Sequence, residues 1–453
     1  MNRRSFLTAL AAASAGAALS NPLHRAFAGT EVGQDEFFVF IHAAGAWDVT
    51  VGLDPRNERK GLVEPGSTNT IDIAPLRLWK SLGAPLDGMN GASGYSFELV
   101  RPAGPSPLVF GPGIGDLVRH YRRLTVVNGI AMNTVSHQDG TTFSATGRHL
   151  AGTRAVAASI DTMMADAFGT SQILPAVSIN FPSSFVGRDL DRRAVPLSIS
   201  GIGTLAASLK RSTSYESDKA RDGVTALLSQ EAQDLTGLSA DPETMRGMYL
   251  QYEALRRMNR ERLLDVFTDG FLRAKYPNFK YQTMSASVNA AFALECLSRN
   301  IARCVSFSYG SFDTHFTNYR NQPLLQQNLF DLIAILLDYL DTLPHPTKPT
   351  AKLSEHTHLM VVSDFCRTPQ INLSGGRDHY PNNSSLIVSP KFRGNTAYGQ
   401  SDPEQLLPLP SGMFSDGARA VSPPDLLATF VSALGASPRK YLRDGEVIKE
   451  LLV

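Results

Sequence analysis

Short apolar segments that lack polar alternation place the strongest limit on how this chain can fold. They are residues 36–42, 124–128, 176–181, 302–308, 358–363 and 385–388. Such runs are typical of strands covered on both faces, as in a parallel sheet. Between them, residues 324–343 predict an amphipathic helix, because leucines recur on one face at Leu325, Leu329, Leu332, Leu336 and Leu340. Strands that alternate with helices predict an α/β fold with a largely parallel sheet flanked by helices.

The remaining segments predict irregular excursions from one domain. Residues 61–112 are rich in Gly, Pro, Ser and Asn, which indicates a long loop-rich insertion, and residues 394–417 have a similar composition. Residues 188–231 are polar and predict a peripheral excursion, whereas residues 242–275 predict a second, charged helical stretch. No segment reads as a linker between independent domains, so we expect residues 29–453 to form a single domain.

Residues 1–28 predict a twin-arginine export signal rather than part of the fold. Arg3 and Arg4 precede an apolar, alanine-rich stretch from Leu7 to Leu19, and residues 26–28 (AFA) offer small residues to a signal peptidase. This stretch is too short for a permanent membrane anchor, and no later segment has the ~20 apolar residues of a transmembrane helix. We therefore expect the twin-arginine export machinery to deliver an unanchored protein to the periplasm or outside.

Composition argues against several classes of function. The net charge is +1 and 19% of the residues are charged, which gives no indication of a nucleic-acid-binding surface. Cys296, Cys304 and Cys366 form no Cys-x-x-Cys motif, and the apolar runs around the first two predict buried free thiols. The chain has no Gly-x-Ser-x-Gly nucleophile motif, no Walker-type phosphate loop and no dinucleotide-binding glycine motif after a strand.

Acidic and histidine residues follow four of the predicted strands and occupy one nearby loop. They are Asp48, His137, Asp139, Asp313, His315, Asp364, Asp378 and His379. A single aspartate at a strand end is more often a helix cap or turn former than a metal ligand. Ligands of open α/β sheets, however, bind beyond the carboxyl ends of the strands, where these residues recur. Because carboxylates and imidazoles bind divalent metals, the pattern predicts a metal site there.

Four motifs around these residues carry a family resemblance. They are residues 361–368 (VVSDFCRT), 375–379 (GGRDH), 312–315 (FDTH) and 45–48 (GAWD). They resemble the Ser-Glu-Phe-Gly-Arg-Thr, Gly-Thr-Asp-His, Trp-Asp-Thr-His and Gly-Gly-x-Asp elements of an exported bacterial family, domain-of-unknown-function family 1501. The resemblance extends to residues 421–452 and covers nearly the whole mature chain. It implies a fold similar to that of alkaline phosphatases and sulfatases.

The resemblance also implies one or two divalent metals, such as Zn, Mn, Ca or Fe, at the carboxyl edge of the sheet. Asp48 and Asp364 would bind one metal, and Asp313, His315 and His379 would bind the other. In the related enzymes such metals polarise a phosphate or sulfate ester.

Several positions depart from the related enzymes. Phe365 stands where alkaline phosphatases carry a ligating histidine, which leaves the first metal site one ligand short. His137 stands nine residues before Thr146-Gly147-Arg148, where sulfatases place a cysteine and alkaline phosphatases a serine. The attacking oxygen is therefore missing, displaced to Ser136 or replaced by metal-bound water. His137 could bind metal or transfer protons, and Arg367 could bind an anionic oxygen.

Three functions are compatible with this sequence. The first is an exported metal-dependent hydrolase of a small phosphate or sulfate ester, with Ser136, His137 and Arg367 in catalysis. The second is a non-catalytic exported protein that keeps the fold and binds a protein partner, which the missing nucleophile and ligand favour. The third is a metal-dependent oxidoreductase, because Asp and His also suit iron.

Overall fold

A computed structural model describes residues 35–55, 99–203, 254, 257–258, 263–370, 372–403 and 405–453. Three predicted features lie wholly or largely outside these residues. The export signal is one, the loop-rich insertion before residue 99 is the second, and the charged helical stretch before residue 263 is the third. Residues 204–231 of the predicted peripheral excursion also lie outside them.

An eight-stranded sheet forms the centre of the described structure. In spatial order its strands are β10 (Thr396–Tyr398), β2 (Leu124–Val127), β9 (Ser385–Val388), β6 (Thr357–Ser363), β1 (Phe37–Ala43), β5 (Ala302–Tyr309), β3 (Leu174–Ile179) and β4 (Leu197–Ile199). Strands β6, β1, β5, β3 and β4 run parallel to one another, and β9 is antiparallel to both of its neighbours. The prediction of a largely parallel sheet is confirmed, and each of the six predicted strands is present.

Apolar cores cover both faces of the sheet. Along β1 the side chains of Phe37, Val39 and Ile41 enter one core, whereas Phe38 and Phe40 enter the other. Successive residues of a strand point to opposite faces, so a strand buried on both sides must be apolar at every position. Full burial of each such side chain contributes about 1.5–3 kcal/mol of transfer free energy.

Helices form the layers on the two faces. The described α-helices are α1 (His137–Thr146), α2 (Ile160–Met164), α3 (Asp269–Lys275), α4 (Ser287–Ser298), α5 (Asn318–Thr342) and α6 (Pro423–Ala433). Residues of α4 and α5 belong to one core, and residues of α1, α2 and α6 belong to the other. The leucine-rich helix is thus confirmed as α5, which begins six residues earlier than its leucine pattern predicts. No helix among the described residues is long and apolar enough to span a membrane.

Two small hairpins and an edge strand complete the described structure. Strand β7 (Cys366–Arg367) pairs with β8 (His379–Tyr380), and β11 (Gly412–Phe414) pairs with β12 (Gly417–Arg419). The composition of residues 394–417 predicts irregular chain, but this segment contributes β10 to the edge of the main sheet, in parallel with β2. All three cysteines are buried and free, which confirms the prediction made for Cys296 and Cys304.

Candidate metal centre

The parallel strands bring several chemically active loops to one edge of the sheet. Strands β1, β5 and β6 are neighbours, so their carboxyl ends lie side by side. The loop after β5 carries Asp313 and His315, and the pairing of β7 with β8 sets Arg367 opposite His379. Helix α1 begins at His137. Residues far apart in sequence therefore meet at the carboxyl edge, as the rule for open α/β sheets predicts.

Three imidazoles surround one carboxylate oxygen, the Oδ1 of Asp313. The Nε2 atom of His315 lies 3.1 Å from this oxygen, that of His137 lies 3.5 Å from it and that of His379 lies 3.7 Å from it. The Nε2 atoms of His315 and His379 are 2.9 Å apart. Ligand atoms of His137, Asp313 and His379 all lie within 4.8 Å of one another, so these residues form a group that could hold a metal ion.

The other ring nitrogen of each histidine faces a group that can only accept a hydrogen bond. These contacts join Nδ1 of His379 to the carbonyl oxygen of Val135 at 2.7 Å, Nδ1 of His315 to Oδ1 of Asp378 at 2.8 Å, and Nδ1 of His137 to Oδ2 of Asp364 at 2.6 Å. Each Nδ1 must therefore carry the proton, and in the neutral ring Nε2 then carries a lone pair. Such outer partners orient metal-binding histidines in proteins.

Oδ1 of Asp313 and the Nε2 atoms of the three histidines thus face one another, and with Nδ1 protonated in the neutral rings these four atoms carry lone pairs instead of protons. The Nε2 atom of His137 is buried and has no hydrogen-bond partner. Burial lowers the pKa of His379, whereas the hydrogen bond and charge of Arg367 hold the pKa of Asp313 below its usual value despite burial. Imidazole nitrogens beside an ionised carboxylate are the donor types that bind a divalent transition metal such as Zn or Mn.

Asp364 lies behind His137 and fixes its orientation. Its carboxylate, almost fully buried, accepts hydrogen bonds from His137 and from the Gly45 N–H, and it lies 3.0 Å from Nε2 of His42. Burial acts to raise the pKa of Asp364, but the hydrogen bond from His137 and the nearby imidazole of His42 outweigh it and lower this pKa strongly. The same hydrogen bond raises the pKa of His137. The structure therefore places Asp364 as a partner of His137, outside the group of converging donors.

The predicted role of Asp48 as a metal ligand is not supported by its surroundings. Asp48 is fully buried, and its Oδ1 accepts hydrogen bonds from the N–H and hydroxyl of Thr50. Its Oδ2 accepts a hydrogen bond from Asn318 at 2.7 Å and pairs with Arg377 at 3.2 Å. These donors use the lone pairs that a metal would need, so Asp48 caps the 3₁₀ turn after β1 instead.

Arg367 is likewise committed to the protein rather than to a substrate anion. Its buried guanidinium donates to the carbonyl oxygens of Gly45, Ala46 and Arg377. It also donates to Oδ1 of Asp313 at 2.6 Å. These contacts do not support the predicted clamp on an anionic oxygen, and Arg367 instead fixes the loop after β1 relative to Asp313.

An open cleft of about 660 Å³ leads to this centre. Its lining includes His137, Asp313 and Asp364, together with His42, Thr141 and Ser308. The exposed Ser136 is not part of the lining, so the structure does not support it as the attacking group.

Sequence reasoning missed three residues of this lining. His42 reads as a core histidine because it lies inside an apolar strand, although it contacts Asp364. Thr141 lies one helical turn after His137, at a spacing that places both on one face of α1, and this signal could have been found. Ser308 lies near the end of β5, and no pattern in the sequence distinguishes it from other strand residues.

The fold and the donor group together define an α/β protein with a candidate metal centre at the carboxyl edge of its sheet. A family model described as "Protein of unknown function (DUF1501)" matches residues 39–446. The chain belongs to this family, which confirms the predicted membership. No curated protein matches the chain significantly.

Solved structures with a similar fold include sulfatases and an alkaline phosphatase. A complex of Ps i-CgsB with k-i-k-neocarrahexaose is 10% identical, covers 91% of this chain and 75% of its own, and has a TM-score of 0.35. PsFucS1 sulfatase from Pseudoalteromonas sp. is 9% identical, covers 92% of this chain and 72% of its own, and has a TM-score of 0.34. A mutant of TAB5 alkaline phosphatase with Mg bound is 10% identical, covers 79% of this chain and 91% of its own, and has a TM-score of 0.30.

Proposed function

We propose that this chain binds a divalent metal through His137, Asp313 and His379, with His315 as a further donor, and hydrolyses a small phosphate or sulfate ester. The observation that supports it is the convergence of three Nε2 lone pairs on Oδ1 of Asp313. Outside a metal site such an arrangement requires an extra proton, because acceptors that face one another repel. The residues present therefore fit a metal by donor type and by the contacts at Nδ1, which direct each Nε2 at the centre.

The bound metal would supply Lewis acidity to an ester oxygen and offset its negative charge. This chain's own residues would hold the centre in place. Asp364 orients His137, and the hydrogen bond from Arg367 keeps Asp313 ionised and directed at the imidazoles. Because Ser136 does not line the cleft, water that enters through it would be the attacking group.

Export through the twin-arginine route belongs to the same proposal. Proteins that use this route cross the membrane folded, so a chain of this kind could acquire its metal in the cytoplasm before export. Fractionation of cells that express the full chain tests this step. Wild-type protein should reach the periplasm or medium, and the Arg3→Lys, Arg4→Lys double variant should stay in the cytoplasm. Equal distribution of the two chains would contradict the proposed route.

A binding protein without catalysis is the second candidate. It is favoured by the engagement of Arg367 and Asp48 in internal contacts, which leaves neither for a substrate. In this case the metal would stabilise the edge of the sheet, and the exported protein would act through a protein partner.

One purified preparation separates these candidates. The mature protein is analysed for metal content and then assayed with 4-nitrophenyl phosphate and 4-nitrophenyl sulfate, before and after chelation and metal return. Turnover that follows the metal supports the hydrolase, and bound metal without turnover supports the binding protein. Folded protein that takes up no divalent metal contradicts both. His149→Ala is a matched control for His379→Ala, because His149 also contacts a carboxylate but lies outside the donor group.

A further inference from the structure

A second group of chemically active residues lies at the opposite edge of the sheet. Glu36 immediately precedes β1, His358 is the second residue of β6, and Ser389 immediately follows β9. Since β9 runs antiparallel to β6, its carboxyl end meets the amino ends of β1 and β6. The three residues adjoin or lie in three different strands, at the end of the sheet opposite the candidate metal centre.

Hydrogen bonds connect these residues in series. The Oγ atom of Ser389 lies 2.8 Å from Nδ1 of His358, and Nε2 of His358 lies 2.7 Å from Oε2 of Glu36. An ionised carboxylate only accepts, so Nε2 carries the proton and Nδ1 is left to accept the hydroxyl of Ser389. The N–H of Lys391 donates to the same Oγ at 3.1 Å and helps to fix its position. The series runs in the direction that transfers a proton from serine to histidine.

The protonation states suit that transfer. Burial lowers the pKa of His358, which is fully enclosed and stacks against Phe38 at 5.5 Å between ring centroids. Burial acts to raise the pKa of Glu36, but the hydrogen bond and charge of His358 outweigh it and lower this pKa. A neutral imidazole therefore lies between an ionised carboxylate and a hydroxyl, as an activated serine nucleophile requires.

The serine also faces a space that a ligand can enter. Ser389 lines a cleft of about 460 Å³ together with Thr357, Phe392 and Arg122. Arg122 is exposed, and its Nε donates to the hydroxyl of Tyr121 at 3.2 Å. The carboxyl groups of Asp341 and Glu355 also line the cleft, so its charges do not select an anionic ligand.

We propose that Ser389, His358 and Glu36 form a second catalytic site, a serine nucleophile that acts on a carboxylic ester. The Oγ of Ser389 forms a bond to the acyl carbon while its proton passes to Nδ1 of His358. The bond from the acyl carbon to the ester oxygen breaks, and the departing alcohol takes that proton. Water then cleaves the acyl–serine bond, which releases the carboxylic acid and restores the hydroxyl of Ser389. Glu36 holds His358 in the required tautomer throughout.

Labelling by a fluorophosphonate tests this site without any knowledge of the natural ester. The reaction forms a bond from Oγ to phosphorus, breaks the bond from phosphorus to fluorine, and releases fluoride with the serine proton. Folded wild-type protein should gain one adduct, located on Ser389 by peptide mass spectrometry. Labelling in the presence of chelator should be unchanged, because this site is separate from the proposed metal centre.

Two variants establish whether the histidine activates the serine. His358→Gln should slow labelling by about 100-fold or more, the scale of a lost general base. Ser354→Ala, which alters a serine of the same cleft outside the hydrogen-bonded series, should be labelled at the wild-type rate. Absence of an adduct on Ser389 in folded wild-type protein would overturn the proposal. So would equal labelling rates for the wild type and a folded His358→Gln protein.

Discussion

Asp48 and Asp313 follow neighbouring strands, yet their surroundings give the two carboxylates different roles. Asp48 is fully buried, and donors from Thr50, Asn318 and Arg377 occupy its oxygens. The side chain of Asp313 is 45% exposed, and the imidazoles around it offer lone pairs rather than protons. Hydrogen bonds on both oxygens make the first residue structural, whereas the converging imidazoles make the second a candidate ligand, although its Oδ1 also accepts a hydrogen bond from Arg367.

The variant Asp48→Asn should destabilise the fold without weakening metal binding. It breaks the buried ion pair between Asp48 and Arg377, and the loss of such a pair typically costs about 3–5 kcal/mol. Urea unfolding measures this change. Asp338→Asn, which disrupts the exposed pair with Arg119, should cost about 1 kcal/mol or less. Weaker metal binding with unchanged stability would show instead that Asp48 is a ligand.

The variant Asp378→Ala should weaken metal binding although Asp378 is not one of the converging donors. It removes the partner that orients His315, and loss of such a partner typically costs 10–100-fold in metal affinity. Competition with a metal-sensitive dye measures the affinity. The matched control is Asp139→Ala, since Asp139 contacts His149 at the same distance of 2.8 Å outside the site. Equal affinities in both variants would contradict the assignment of His315 to the centre.

At the scale of elements, the site depends on how closely α1 approaches the loop after β6. Gly140 lies one turn into α1, and a Cβ atom there would overlap the backbone carbonyl of Asp364. This close approach allows His137, at the start of the helix, to reach the carboxylate of Asp364. The absence of a side chain at Gly140 thus allows the helix position on which the geometry of the donor group depends.

The variant Gly140→Ala should move α1 outward and weaken both folding and metal binding. Overpacking of this kind typically costs about 1–3 kcal/mol. The control is Gly270→Ala in α3, where the added methyl group meets open space and should be neutral or slightly stabilising. Urea unfolding and metal titration follow the two effects. A Gly140→Ala protein with wild-type metal affinity would show that the position of α1 is not critical.

Helix α6 should lose stability in acid because of one buried carboxylate at its start. Asp425 accepts hydrogen bonds from Arg419, Ser422 and the N–H of Glu446. Burial acts to raise the pKa of Asp425, but these hydrogen bonds outweigh it, so its pKa in the folded protein lies below the usual value. The stabilisation is present above about pH 4 and is lost as the pH falls through the folded pKa.

Unfolding experiments on Asp425→Asn at several pH values check this expectation. The variant should be less stable than the wild type at neutral pH, because Asn cannot replace the charge that pairs with Arg419. The difference in unfolding free energy should shrink below about pH 4. A difference that stays constant from neutral pH into acid would show that Asp425 does not titrate in this range.

Across the whole molecule, the sequence predicted those features that depend on local patterns. Apolar runs without alternation identified the strands, and the rule for their carboxyl ends brought His137, Asp313, His315 and His379 to one region. Contacts between residues that are distant in the sequence could not be predicted from local patterns. The pairing of Asp48 with Arg377 joins residues more than 300 positions apart, and only the folded chain reveals it.

The reversed direction of β9 and the edge strand β10 also escaped prediction. An apolar run carries no information on strand direction, and β10 is short and only partly buried. The polar series at the amino edge of the sheet was missed for a related reason. His358 and Ser389 are separated by 31 positions, and the antiparallel course of β9 is what brings them together.

Anomalous X-ray diffraction from crystals grown with Zn²⁺ tests the central claim most directly. We predict a strong peak at the zinc edge within about 2.0–2.2 Å of Nε2 of His379 and a carboxylate oxygen of Asp313. Nε2 of His137 or His315 should complete the ligand set. An ordered centre without a peak at saturating zinc, with the imidazoles still facing one another, would contradict the account and point to a proton in place of the metal.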